Sequence, residues 1–162
     1  MAHKLRFHTE VQAGNINSVQ QLIVQGGFNP NDNYLGVFPM DHAVEGGNVD
    51  MFCMLLVAGG DPHRKGNGAN RKSAFMLATE LSKDKKDARH EAAKTMLKHF
   101  EDKDARQKHF DVLQDRIFKK NQEDLKLIKK IFFGFVVFGL PALYYAIFVY
   151  KVFDMLGGKD EL

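Results

Sequence analysis

Residues 38–62 read FPMDHAVEGGNVDMFCMLLVAGGDP, and this stretch decides how the chain folds. Pro39 is suited to the first turn of a helix, where its missing N–H leaves no hydrogen bond unmade. Gly47 and Gly59 are suited to the ends of two helices, because glycine adopts positive φ without strain. The apolar run before Gly59 predicts that the second of these helices is buried. The stretch therefore predicts two short helices separated by a glycine turn.

The same pattern occurs earlier in the chain, at an offset of 33 residues. Similar residues recur at this offset, namely Gly14-Asn15 and Gly47-Asn48, Val19 and Phe52, Leu22 and Leu55, Ile23 and Leu56, and Gly26-Gly27 and Gly59-Gly60. A period of this length, with two short helices in each unit, is typical of proteins built from stacked helical repeats. We therefore expect an all-α stack of helix pairs.

The middle unit resembles an ankyrin repeat. Phe38 to Ala43 stand where that family has Thr-Pro-Leu-His-x-Ala, and a glycine turn, a leucine pair and a Gly-Gly-Asp-Pro turn follow in the family's order. The residues that match the family's structural motif are Pro39, Met40, Ala43, Gly47, Leu55, Leu56, Gly59 and Asp61. The unit departs from the family at Phe38 and Asp41, which replace the Thr and the His. Asp41 can instead cap the first helix.

The resemblance implies an ankyrin-repeat domain over residues 1–100. The first unit, about residues 5–31, keeps only the second half of the pattern. The third unit opens at residues 73–78 (SAFMLA) but is degenerate, because KDKKDARH at residues 83–90 replaces the glycine turn. Its second helix is predicted over residues 91–100. Since so few repeats make a small stack, we expect support from the following helix or from a partner.

Residues 101–130 are predicted to form a charged, amphipathic connecting helix. Phe110, Leu113 and Ile117 share one face of it, and most other side chains are polar or charged. Two interpretations stay open at this point. The apolar face packs on the last repeat or on a partner subunit, or the helix is a solvated spacer.

Residues 131–150 read IFFGFVVFGLPALYYAIFVY and contain no charged residue. A helix of this length would extend about 30 Å, which is the thickness of the hydrocarbon core of a bilayer. The run therefore predicts a transmembrane helix over residues 131–153, kinked by the proline at its centre. The residues predicted to pack against another membrane helix are Gly134, Gly139, Pro141, Ala142 and Ala146.

A short polar tail, residues 154–162, ends in Lys159, Asp160, Glu161 and Leu162. This sequence is a retrieval signal of the endoplasmic reticulum when it stands at a C-terminus. Lysines precede the apolar run, so the positive-inside rule predicts a cytosolic N-terminal domain. The sequence thus predicts a single-pass, tail-anchored protein of the endoplasmic reticulum membrane. In the alternative, the membrane is the mitochondrial inner membrane and the tail matches by coincidence.

The residues that could carry chemistry form no catalytic, cofactor-binding or metal-binding pattern. The seven histidines are scattered without the spacing of metal ligands. The single cysteine, Cys53, lies in an apolar run, which is typical of a small buried hydrophobe. Acidic residues alternate with the lysines after residue 83, which disfavours a nucleic-acid partner. We therefore predict that the protein is not an enzyme and binds no cofactor, metal ion or small-molecule substrate.

The ankyrin resemblance implies that the protein binds other proteins. We therefore predict a short ankyrin-repeat solenoid, a charged connecting helix and one transmembrane helix, acting together as a membrane-anchored adaptor or scaffold at the endoplasmic reticulum. The alternative is an accessory structural subunit of a large membrane complex, such as a mitochondrial respiratory-chain assembly. In both cases the partners are proteins, bound by the ankyrin domain and by the transmembrane helix.

Overall fold

The computed structural model describes residues 2–67, 71–135, 137 and 140–155. This part of the chain is all-helical, with no strand beyond an isolated bridge between Tyr34 and Val37. Its helices are α1 (Ala2–Gln12), α2 (Ile16–Val24), α3 (Pro39–Glu45), α4 (Val49–Val57), α5 (Ala74–Leu81), α6 (His90–Glu101), α7 (Lys103–Gly134) and α8 (Leu140–Met155).

The chain divides into two compact units, Met1–Arg116 and Ile117–Leu162. The first unit holds α1 to α6 and the beginning of α7. The second unit holds the remainder of α7 and α8.

The first unit contains a stack of three helix pairs. Consecutive helices pack together as α1 with α2, α3 with α4 and α5 with α6. The first helix of the middle pair, α3, contacts α1 and α5, and its second helix, α4, contacts α2 and α6. These contacts link each pair to the next, as in a repeat stack. α2 begins at Ile16 and α4 at Val49, so the 33-residue sequence offset corresponds to one helix pair.

At the start of three of these helices, a polar side chain accepts a backbone N–H group that has no partner inside the helix. An Asp41 carboxylate oxygen accepts the backbone N–H of Phe38 at 3.0 Å at the start of α3. Asn48 Oδ1 accepts the N–H of Met51 at 2.9 Å in α4, and the Ser73 hydroxyl has a longer bond, of 3.4 Å, in α5. The short helices are thus delimited locally as well as by packing.

The core of the stack is centred on α4. Six consecutive residues of this helix are buried, namely Met51, Phe52, Cys53, Met54, Leu55 and Leu56. A helix that is apolar all round is enclosed by neighbours on every side. α4 is enclosed in this way because it lies between α2 and α6 and packs on α3.

The prediction of a transmembrane helix over residues 131–153 is wrong. No helix of the described residues is both long and apolar enough to cross a membrane. Within the run, α7 ends at Gly134 and α8 begins at Leu140, and residues 135 and 137 have π-helical backbone. α8 has 16 residues, whereas a span needs about 20. Pro141 is the second residue of α8.

Several other predictions depend on that helix and are corrected with it. The single-pass and tail-anchored topology is wrong, and so are the locations in the endoplasmic reticulum membrane and the mitochondrial inner membrane. The structure likewise gives no support to a membrane as a partner.

Large apolar side chains of α8 are exposed within the second unit. They are Leu140, Leu143, Tyr144, Tyr145, Ile147, Phe148, Val149 and Tyr150. Contiguous exposed apolar surface of this kind is typical of a region that contacts another molecule.

Candidate interaction surface

The loop between α2 and α3, residues 25–38, ends in a tight hairpin, and we call this loop the first finger. Tyr34 and Val37 exchange two backbone hydrogen bonds of 3.0 Å each. Between them, Leu35 has a φ of 52° and Gly36 a φ of 77°. Positive φ at both central residues is the signature of a type I′ turn.

Leu35 is an unusual residue for the tip of this hairpin. It is 83% exposed, and it is the one residue other than glycine with a positive φ in the described part of the chain. Left-handed backbone costs such a residue roughly 1 kcal/mol, and Asn-Gly is the common pair in this turn. Neither the left-handed backbone of the turn nor exposure to solvent favours a leucine side chain at this position. The side chain is therefore a candidate contact for another molecule.

The loop between α4 and α5, the second finger (residues 58–73), packs against the hairpin from one side. A Cβ added to Gly66 would lie 1.9 Å from the carbonyl oxygen of Gly36, so only glycine fits this contact. Arg71 donates from Nη1 to the carbonyl oxygen of Leu35 at 3.4 Å. The second finger thus positions the turn that carries Leu35.

The Asn31 side chain connects the bases of the two fingers. Its Nδ2 donates to the carbonyl oxygen of Gly59 at 2.8 Å, and its Oδ1 accepts the N–H of Asp61 at 2.7 Å. Arg64 of the second finger donates to the backbone carbonyl of Asn31 at 3.3 Å. These bonds hold the two loops side by side.

Aromatic rings fix the first finger against α1. Phe7 stacks on Phe28 with ring centroids 5.4 Å apart, and the ring of His8 lies 5.8 Å from that of Tyr34. His8 Nε2 is 3.1 Å from the carbonyl oxygen of Asp32. Burial is the main cause that lowers the pKa of His8, and the neutral ring can donate to this carbonyl. The hairpin therefore stands on a rigid base.

A groove of about 190 Å³ lies beside the hairpin, lined by Val37, Asp41, Glu45, Arg71, Lys72 and Leu77. Its acidic side chains come from α3, and its basic side chains come from the segment before α5. Burial raises the pKa of Asp41, which is 6% exposed. Apolar, acidic and basic groups therefore occur together next to Leu35, as they do in protein–protein interfaces.

The residues of the predicted ankyrin motif lie inside the stack or at its turns. They are not among the residues that line this groove. Pro39, Met40, Ala43, Leu55 and Leu56 are buried. The two motif glycines follow α3 and α4 and have positive φ, 64° at Gly47 and 90° at Gly59. Asp61 lies in the second finger and accepts the N–H of His63 at 2.9 Å.

The predicted membrane-packing and retrieval residues lie only in part within the described residues. Gly134 ends α7, whereas Pro141, Ala142 and Ala146 lie in α8. Gly139 lies outside the described residues, and so do the retrieval-signal residues Lys159, Asp160, Glu161 and Leu162.

Cys53 has the environment of a structural thiol. It is fully buried, and its Sγ donates to the carbonyl oxygen of Arg106 at 3.4 Å. Burial raises the pKa of the Cys53 thiol to about 11, so the reactive thiolate is scarce at neutral pH. Among the described residues, no three His, Cys, Asp or Glu side chains lie close enough together to hold a metal ion.

Leu35 is the surface residue that the sequence analysis missed. The signal was present, because Leu-Gly stands between Tyr34 and Val37, two residues that favour strands. A two-residue turn is recognised most readily from Asn-Gly or Asp-Gly. A leucine at the first of the two positions does not indicate such a turn.

Comparison with known proteins gives a partial similarity. Seventy residues, 42% of this chain, are 44% identical to the 2-5A-dependent ribonuclease of Mus musculus. The matched segment is 9% of that protein, which has ankyrin repeats. No family model and no solved structure matches the chain. The similarity suggests an ankyrin-repeat region and, with it, a role in protein interaction.

Proposed function

We propose that the chain is a non-enzymatic adaptor that binds a partner polypeptide through the Leu35 hairpin and the adjoining groove. The observation that carries this proposal is the exposure of Leu35, 83%, at a backbone position that disfavours leucine. An apolar side chain would insert into the partner, and the charged groove would meet polar groups around it. The partial similarity to a protein with ankyrin repeats supports the same role.

The test is capture of partners by the full chain, comparing the wild type with Leu35→Asn. Asparagine adopts the left-handed turn more readily than leucine, so the thermal midpoint should be unchanged or slightly higher. Loss of the buried leucine contact should weaken partner binding by about tenfold or more, which corresponds to burial of one such side chain. Partner recovery is measured by quantitative mass spectrometry and stability by circular dichroism.

Val24→Asn is the matched control, because Val24 is 76% exposed on α2 and lies outside the first finger. It should capture the same partners as the wild type. Equal recovery by wild type and Leu35→Asn would show that the hairpin does not bind them.

A second candidate is an accessory structural subunit of a protein assembly, and the exposed apolar side chains of α8 favour it. A partner that covers α8 would be retained by Leu35→Asn. The same capture experiment therefore distinguishes the two functions.

A further inference from the structure

The beginning of α7, residues 103–116, lies across the stack, and we call it the strap. Asp50 at the start of α4 binds it twice: one carboxylate oxygen is 2.7 Å from His109 Nε2, and the other accepts from Arg116 at 3.1 Å. Leu113 is the buried apolar anchor of the strap, at 2% exposure. A small set of side chains therefore attaches the strap to α4.

The strap covers the single cysteine of the chain. The backbone carbonyl of Arg106 accepts the hydrogen bond of the Cys53 thiol at 3.4 Å, and Cys53 is 0% exposed. Release of the strap would remove this cover. Cys53 is therefore a natural reporter of whether the strap is attached.

His99 of α6 packs beneath the strap. Its ring lies 4.6 Å from that of His109, and the residue is 5% exposed. Neither ring nitrogen of His99 has a hydrogen-bond partner among the described residues. An unpaired neutral imidazole is costly when buried, and an imidazolium here would be costlier still.

The groups around His99 do not provide a counter-charge in contact with its ring. The charged groups that act on the ring are His109, Lys98, Arg106 and Asp102. The helices packed on α6 carry Asp50 in α4 and Glu80 in α5. Asp50 is already bonded to His109 and Arg116, and Glu80 of α5 pairs with Lys72. Asp102 is the one acidic group that favours the charged ring, and three basic groups oppose it.

Burial is the largest cause that lowers the pKa of His99, followed by repulsion from the neighbouring His109 ring when that ring carries a proton. With the strap released, the ring meets water and its pKa returns towards about 6.5. The released state therefore binds more protons as the pH falls below that value. Protonation of His99 would therefore favour release as the pH falls below about 6.5.

We propose that the strap is a pH-controlled cover, attached to α4 at neutral pH and released in mild acid when His99 takes up a proton. Release exposes Cys53 and the outer face of α4 while the helix stack stays folded.

The test is the rate at which 4,4′-dithiodipyridine modifies Cys53 in the full chain at pH 7.5 and pH 5.5. Each rate is divided by that of glutathione at the same pH, which removes the intrinsic change in thiol reactivity. We expect the normalised rate to rise about tenfold between the two pH values, and far-UV circular dichroism to stay constant. A released imidazole with an ordinary pKa of about 6.5 is mostly neutral at pH 7.5 and mostly protonated at pH 5.5, and uptake of one proton by the released state alone gives about this factor.

Two substitutions identify the group that titrates. His99→Phe keeps an aromatic ring against His109 but cannot be protonated, so its normalised rate should be the same at both pH values. His63→Phe is the matched control, since the ring partners of His63 are Phe75 and Phe100, and it should keep the tenfold rise.

Asp50→Asn gives an independent check, because it weakens both bonds to the strap and should raise the rate already at pH 7.5. A pH-independent rate in the wild type would overturn the proposal. An undiminished rise in His99→Phe, or a loss of helical signal at pH 5.5 in the wild type, would overturn it equally.

Discussion

Leu55→Asp is expected to unfold the helix stack. Leu55 is 0% exposed at the centre of α4, and the six buried residues of this helix offer no partner to a carboxylate. An unpaired buried charge together with the lost apolar contacts costs about 4 kcal/mol or more, a large part of the stability of a small domain. Urea denaturation followed by circular dichroism should show a much lower midpoint, or no folded baseline.

Val24→Asp is the control for this substitution. Val24 is 76% exposed, so the same change should lower the stability by less than about 1 kcal/mol. If Leu55→Asp and the wild type unfold at the same urea concentration, α4 is not the centre of the core.

Gly66→Val is expected to separate the two fingers. Even a Cβ at this position would lie 1.9 Å from the carbonyl oxygen of Gly36, and valine adds two methyl groups. Overpacking of this kind typically costs about 1–3 kcal/mol. The backbone bonds between Tyr34 and Val37 should open more often. Amide hydrogen exchange at these two residues should therefore accelerate along with a lower urea midpoint.

Lys65→Val provides the control, because Lys65 precedes Gly66 and is exposed. It changes the same loop without touching Gly36. Hydrogen exchange at Tyr34 and Val37 that is equal in Gly66→Val and in the wild type would show that the second finger does not support the hairpin.

The repeat period could be predicted because it depends on local residues. Gly47 has the positive φ that ends a short helix, and Pro39 occupies the first helical position. Asn48 caps the next helix through its own side chain. Such signals depend on the conformational preferences of single residues, so a sequence displays them directly.

The membrane helix was predicted wrongly because the prediction relied on the composition of the run. Residues 131–150 are apolar throughout, but α7 ends at Gly134 and α8 starts at Leu140. Pro141 was interpreted as a kink at the centre of the run, whereas it is the second residue of α8. Composition alone does not show where a regular α-helix begins and ends in such a run.

The contacts of the surface could not be predicted because they join distant residues. Leu35 is supported by Arg71, and Asp50 binds His109 across 59 positions of the chain. The apolar stripe of the connecting helix includes Leu113, which the structure buries. The stripe did not indicate the polar contacts, nor that the strap would cover Cys53.

Photocrosslinking from position 35 in cells tests binding through the hairpin most directly. A benzophenone amino acid replaces Leu35 in one variant and Val24, which is also well exposed, in another. The proposed function predicts one discrete protein adduct from position 35 and none from position 24. Adducts from position 24 alone, or none from either position, would contradict binding through the hairpin.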